Sequence, residues 1–296
     1  MSDATPTSGT LLIPPPPRPA NQDPLWVRVL LIGMAVGAMT VLVIIPVVNV
    51  FWQALSPGIG SYLRTLTEDP DTLHSILLTL TVTPLAVLLN TAFGIVAAWT
   101  VTRFRFFGRT LLVTLIDLPI SVSPVVAGLV FVLLFGTGGW FHTPGVRVLF
   151  STPGLILATT FITLPLVVRE LIPVMEAIGM DEEIAAVSLG ASPWEIFRRV
   201  TLPNIRWGLL YGIILCNARA MGEFGAVYVV SGHIAGQTNT MPLQIEQMFQ
   251  GFNTPGAFAV ASLLTVLAAV TLVLKVIVEE KSRKLIRDAK KVDVPG

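Results

Sequence analysis

The chain has 296 residues, 53% of them hydrophobic and only 12% charged, with a formal net charge of +1 and a mean hydropathy of +0.77. Soluble domains carry about 25% charged residues, so this composition excludes a soluble globular protein, and the small net charge gives no reason to expect nucleic acid. The single cysteine, Cys216, lies in an apolar stretch, which excludes an intrachain disulfide and a cysteine metal site.

Residues 1–25 are polar and contain four consecutive prolines, Pro14 to Pro17. Such a segment lacks the apolar residues to form a core, which predicts a disordered or extended tail. It is not a signal peptide, because no basic region precedes a short apolar run. Residues 26–278 then read as a membrane domain. Six spans approach the roughly 20 apolar residues that cross a bilayer: Val27–Trp52, Ile76–Thr102, Leu111–Phe135, Gly154–Val174, Gly208–Val230 and Phe258–Ile277. Pro165 interrupts the fourth, and Arg169-Glu170 lie near its end. Residues 279–296 form a basic tail that anchors the topology beside anionic lipid. With the N-terminus in the cytoplasm, every Lys and Arg except Arg64, Arg147 and Arg219 falls inside or at the inner boundary. The positive-inside rule therefore places both termini in the cytoplasm.

The longest polar interruption of the second half is Asp181 to Pro203, DEEIAAVSLGASPWEIFRRVTLP. It reads as two short helices with a corner between them, on the cytoplasmic side. Asp181 caps the first, with Glu182 and Glu183 in its first turn where the helix dipole favours carboxylates. Ala185, Ala186 and Leu189 offer a face of mostly small residues, and Gly190 ends the helix in the left-handed conformation. Ser192, Pro193 and Glu195 restart a helix through a capping box. Leu202-Pro203 is expected to stop it.

Catalytic motifs are absent. The three histidines, His74, His142 and His233, make no metal-ligand spacing, and no GxxxxGK phosphate loop occurs. Asp117, Arg219 and Glu223 are ionisable residues inside spans, where they face a bundle interior or water. Asp117 is expected to bond neighbouring backbone. Arg219 and Glu223 are four apart on one helical face and can pair. The pair either fixes helix packing or presents a cation to an anion in the pathway, and both readings stay open. Ser121 and Ser123, between Pro119 and Pro124, can line a path or replace lost backbone hydrogen bonds. Gly94, Ala97, Ala98, Gly128, Gly222 and Ala226 are suited to close helix packing.

The elbow resembles the EAA loop of ABC importer permeases: Glu-Ala-Ala, three residues, Gly, then about a dozen residues to Leu-Pro. Ala185-Ala186, Gly190-Ala191, Phe197, Val200 and Leu202-Pro203 match that pattern. Ile184 stands at the motif glutamate, with Glu183 one residue early. Ala218 to Glu246 looks like the sulfate/thiosulfate permeases of the CysW type, and Leu118 to Leu129 like the wider sulfate and molybdate permease group. The resemblance covers residues 27–277. It implies an all-α membrane protein with the type I ABC importer permease architecture, six transmembrane helices and a cytoplasmic coupling loop. It implies that Glu182, Glu183, Ile184, Ala185, Ala186, Leu189, Gly190 and Ala191 meet an ATPase. It implies a paralogous permease of the CysT type, two ATPase subunits that carry ATP and Mg, a periplasmic sulfate-binding protein, and a place in the bacterial inner membrane. No cofactor is expected on this chain. Import of another oxyanion such as molybdate remains an alternative. So do a proton-driven transporter that uses Glu223 and an intramembrane hydrolase that pairs Asp117 with Glu223.

Overall fold

The computed structural model describes residues 24–141 and 147–292. The expected tail lies outside the described residues except for Pro24 and Leu25, and His142 lies outside them too. The chain divides into two units, Met1–Asn49 and Val50–Gly296. Among the described residues every regular element is helical.

In the first unit the described chain is helical from Leu25; we call the helix Leu25–Leu55 α1. The second unit continues with α2 (Ile59–Thr67), α3 (Pro70–Arg103), α4 (Arg109–Ser121) and α5 (Pro124–Phe135). Next come α6 (Thr152–Ile178), α7 (Asp181–Ser188) and α8 (Pro193–Met221). The chain ends with α9 (Gly225–Ser231), α10 (Met241–Gln250) and α11 (Thr254–Val292). Among the described residues, helices α1, α3, α6 and α11 are each long and apolar enough to cross a membrane, and the count reaches six if each of two bent pairs is one span. Helix α11 carries on into the basic segment, helical in its backbone to Val292.

Two expected straight spans are broken. The third is α4 and α5, bent by 109°. Val122 is extended (φ −93°, ψ 140°) and Ser123 follows at φ −57°, ψ 133°. Pro124 is the cause: its ring pushes the preceding residue out of the helical region, and it opens α5 at a position that needs no N–H. The fifth span is α8 and α9, bent by 54° after Gly222. The fourth runs on to Ile178 despite Pro165 and Pro173, so Arg169 and Glu170 lie within the helix rather than near its end. Pro165 is buried among neighbouring helices, where packing tolerates a lost helical bond.

The core of the second unit is the contact of α3, α6 and α8, where Val87, Ala98, Val167, Leu171, Met175, Ile205, Cys216 and Ala220 meet. Small residues let the axes approach. A Cβ on Gly94 would sit 2.6 Å from Val167 Cγ1, and one on Gly128 would sit 2.9 Å from Val229 Cβ. Gly222 differs from the expectation: nothing lies within 4 Å of its missing Cβ, and it marks the end of α8 instead. On the α3 core face Thr79 Oγ1 donates to the Ser75 carbonyl at 2.8 Å and accepts from the Met241 N–H of α10 at 2.8 Å. One polar contact ties all three helices. Asn90 Nδ2, fully buried, donates to Thr163 Oγ1 at 2.7 Å and to Cys216 Sγ at 3.5 Å.

Candidate functional site: an exposed elbow and charge pairs within the spans

The elbow begins at Met180, which occupies the cap position of α7 without a side-chain bond. Asp181 is therefore the first helical residue and not the cap, and it joins Glu182 and Glu183 in the first turn, where all three favour the helix dipole. At the far end Gly190 adopts φ +82°. Its N–H bonds the Val187 carbonyl at 2.9 Å, and the Ala191 N–H bonds that of Ala186 at 3.1 Å. These are the two hydrogen bonds of a Schellman motif, which needs the left-handed residue at Gly190. Ser192 and Glu195 close the expected capping box around Pro193. The Ser192 backbone N–H, and after it the Ser192 hydroxyl, hold the Glu195 carboxyl below its ordinary value.

Leu202-Pro203 does not stop the second helix. A π turn over Phe197–Thr201 precedes it, and the Leu202 N–H bonds the Phe197 carbonyl. The wider turn accommodates a residue with no N–H and a ring that would strike the preceding carbonyl. In α1 the same device recurs at the same offset, with a π turn at Thr40–Ile44 ahead of Pro46. Helix α8 thus runs from the elbow to Gly222, about 40 Å at 1.5 Å per residue.

The elbow has two sides. Glu183 faces inward, with its side chain 14% exposed, and pairs with Arg103 at the end of α3 at 2.9 Å. It also accepts from Thr201 Oγ1 at 2.8 Å, while Arg103 Nη1 donates to the Met175 carbonyl at 3.2 Å. Glu182 accepts from Asn204 Nδ2 at 2.5 Å. The outward side is apolar. Ile184, Val187 and Trp194 are exposed, and Leu189 is 89% exposed. Ala185 and Gly190 are exposed beside them, and Ala186 and Ala191 are half-buried. Ala186, Leu189, Gly190, Glu195, Arg199 and Val200 line a shallow depression there. Trp194 stacks on Phe197 with centroids 5.6 Å apart, and Phe197 stacks on Trp99 of α3 at 5.1 Å. Sequence reading missed this aromatic run; the one signal was the i,i+3 spacing of Trp194 and Phe197.

Within the spans, Arg219 Nη1 donates to Glu223 Oε2 at 2.6 Å, as the spacing predicts. The helix ends between them, however, so Glu223 sits in the break. Its other oxygen accepts from the Ala226 N–H at 3.1 Å, at the start of α9. The Glu223 side chain is 1% exposed and that of Arg219 43%. Ser121 and Ser123 are exposed at the other break. The two breaks adjoin: a Cβ on Gly225 would lie 2.8 Å from Pro124 Cβ. No hydrogen bond joins Arg219 to either serine among the described residues.

Asp117 does not bond neighbouring backbone. Its two oxygens accept from Arg169 Nε at 2.8 Å and Nη2 at 3.1 Å. Sequence reading missed this pair because apolar windows give no rotational phase between helices. Two opposite charges at similar depth in consecutive spans were the available signal. No three His, Cys, Asp or Glu side chains are grouped to hold a metal among the described residues.

A geometry with ion pairs inside a helical bundle and an apolar elbow outside it suits a subunit that moves a solute and docks to a partner. Comparison with known proteins makes the assignment specific. Residues 90–284 match the family described as binding-protein-dependent transport system inner membrane component. The chain is 52% identical over 262 residues to the sulfate transport system permease protein CysW of Escherichia coli (strain K12), covering 87% of this chain and 88% of that one. It is 51% identical to the chloroplastic sulfate permease 2 of Chlamydomonas reinhardtii, covering 86% and 70%. It is 35% identical to the E. coli protein CysT, covering 79% and 85%. A solved bacterial ABC transporter that imports the acidic polysaccharide alginate shares the fold, with a TM-score of 0.70 at 18% identity over 88% of this chain and 98% of that one. The chain belongs to the binding-protein-dependent transport system inner membrane components, the non-enzymatic permease subunits of ABC importers.

Proposed function

We propose that this chain is one membrane-spanning half of an ATP-driven importer of sulfate, with thiosulfate as a second substrate. Its partners are a paralogous permease of the CysT type, two ATPase subunits that hold ATP and Mg, and a periplasmic binding protein that delivers the anion. Both termini face the cytoplasm. The substrate class rests on the relatives named as sulfate permeases.

The observation that carries the coupling is the continuity of α8. Its first turn belongs to the elbow and its last turn holds Arg219, beside the break at Gly222. The apolar side of the elbow, with Ile184, Ala185, Leu189 and Gly190, seats in a groove of the ATPase. When ATP closes the ATPase pair, the elbow shifts. Glu183 and the Trp194–Phe197–Trp99 stack pass the shift to α3, and α8 delivers it to the break. Arg219, fixed by Glu223, meets the dianion there, with the Ser121 and Ser123 hydroxyls as further donors. A dianion that leaves water needs positive charge or many donors to replace its hydration.

The test is uptake of labelled sulfate, thiosulfate and molybdate by the four-component complex in liposomes, with ATP on the elbow side. Sulfate uptake that requires both ATP and binding protein is expected. Uptake of molybdate alone reassigns the substrate, and uptake driven by a proton gradient without the ATPase replaces the coupling scheme.

A further inference from the structure

The second intramembrane pair has no part in the scheme above. Asp117 lies on α4 and Arg169 on α6, and their side chains are 30% and 55% exposed. Charged groups do not face hydrocarbon when water or protein is available to them. The exposed side of this pair therefore turns toward a water-filled path or a partner chain. Three observations favour the path. Asp117 takes the Nε and Nη2 edge of the guanidinium, which leaves the Nη1 and Nη2 end as a second fork of donors. That end matches two oxygens of a tetrahedral oxyanion. Ser121, exposed at the α4–α5 corner, is four residues beyond Asp117 and so on its helical face. The depth also fits. A Cβ on Gly212 would meet Glu170 Cβ and Val167 Cα at 3.4 Å, so Arg169 lies near the level of Gly212, roughly 10 Å along α8 from Arg219.

We propose that Arg169, oriented by Asp117, is a second oxyanion-binding cation on the transport path, on the elbow side of the break that holds Arg219. The proposal rests on the reading of this chain as an oxyanion importer. Asp117 is a positioning residue: it fixes the guanidinium plane and leaves the free fork exposed. A dianion leaving Arg219 would be handed to Arg169 before it reaches the elbow side of the membrane.

The test uses the complete complex in vesicles and has two arms. Cys216, the one cysteine in the sequence, is buried, so in a Cys216→Ala background this chain carries no native thiol, and labelling is read on this chain after the subunits are separated. In that background Arg169→Cys with Asp117→Asn is treated with the membrane-impermeant anion methanethiosulfonate ethylsulfonate. Labelling that sulfate slows is expected, and absence of labelling assigns the pair to lipid or to the permease interface and overturns the proposal. The second arm is Arg169→Gln with Asp117→Asn, which keeps hydrogen bonding but removes both charges. Loss of one charge-assisted contact predicts sulfate uptake lowered about 10-fold or more, with the ATPase and second permease still co-purifying. Uptake within about twofold of wild type would overturn it, since even a weak charge-assisted contact exceeds that. If this double variant fails to assemble, Arg169→Lys decides, because it keeps the charge and loses the fork. Normal uptake by Arg169→Lys defeats the proposal, and reduced uptake in an assembled complex supports it. A wild-type complex that imports no oxyanion would defeat the functional reading instead, while the labelling arm still reports whether position 169 faces water.

Discussion

Replacing Glu183 by Ala separates its structural role from a docking role. In the structure Glu183 is an internal fastener. It binds both Arg103 and Thr201 and holds the elbow against the end of α3. The substitution leaves Arg103, 6% exposed, with the Met175 carbonyl as its remaining partner. Removing one partner of a buried ion pair costs about 3–5 kcal/mol, mostly because the other charge is stranded. The expected result is a lower unfolding temperature for the purified complex, read by the reactivity of Cys216, which is buried until the chain opens. ATPase binding should weaken only in proportion to the unfolded fraction. The double variant Arg103→Met, Glu183→Ala removes the stranded charge and should recover much of the loss, a coupling visible in a double-mutant cycle. Suppose instead that Glu183 meets a cation on the ATPase. Then Glu183→Ala would leave the unfolding temperature near wild type and lower ATPase affinity in a salt-dependent way, and Arg103→Met would not rescue it. That pattern would refute the inward assignment.

Four further outcomes follow from the same geometry. Gly190→Val places a branched residue at φ +82°, so the Schellman turn should be lost and transport uncoupled while the chain still inserts; normal sulfate-stimulated ATP turnover would rule the elbow out as the coupling surface. Ile184→Glu adds a carboxylate to an exposed first-turn position and should change stability by less than about 0.5 kcal/mol; failure to assemble would show that this side chain packs inside the bundle. Gly94→Leu must displace Val167 and should destabilise by about 1–3 kcal/mol or more, checked as a lower unfolding temperature in detergent. Glu223→Gln strands Arg219 and should reduce assembly. Arg219→Met with Glu223→Gln should recover assembly yet abolish sulfate uptake, and normal uptake by that double variant would remove Arg219 from the path.

Four long apolar helices, and the two bent pairs that bring the spans to as many as six, were legible in the sequence because bilayer thickness sets the length of an apolar run. So were the Gly190 turn and the Ser192–Glu195 box, because local backbone chemistry decides them. Three other features were not. Hydropathy is blind to backbone direction, so the bends at Val122-Ser123 and Gly222 vanished inside apolar windows, though Ser123-Pro124 carried a helix-start signal. The rule that proline stops a helix failed at Pro203 because the π turn at Phe197–Thr201 relieves the clash, and nothing local announces a π turn. The direction of Glu183 and the partner of Asp117 depend on how helices distant in sequence are rotated against each other. That is a packing property, and a single chain read alone does not encode it in any short pattern.

The ion pairs differ in what they conceal, and the difference separates holding from presenting. A pair that only fastens two helices is best hidden at both ends, since exposure to water weakens it. Arg103 and Glu183 fit that description, with side chains 6% and 14% exposed. Arg109 and Glu176 are open at both ends, 44% and 53%, as a surface pair is. The two pairs inside the spans are lopsided in one sense: the carboxylate is the less exposed partner. Glu223 is 1% exposed against 43% for Arg219, and Asp117 30% against 55% for Arg169. A carboxylate less exposed than its arginine fixes the guanidinium plane, yet repels an incoming anion less than a fully exposed carboxylate would. The arrangement also limits how tightly a dianion is held, because each cation already has a carboxylate partner. On the proposed path that limit is useful: a site must bind well enough to replace hydration and loosely enough to release. Two carboxylate-paired arginines in series meet both demands, where one bare arginine would meet only the first.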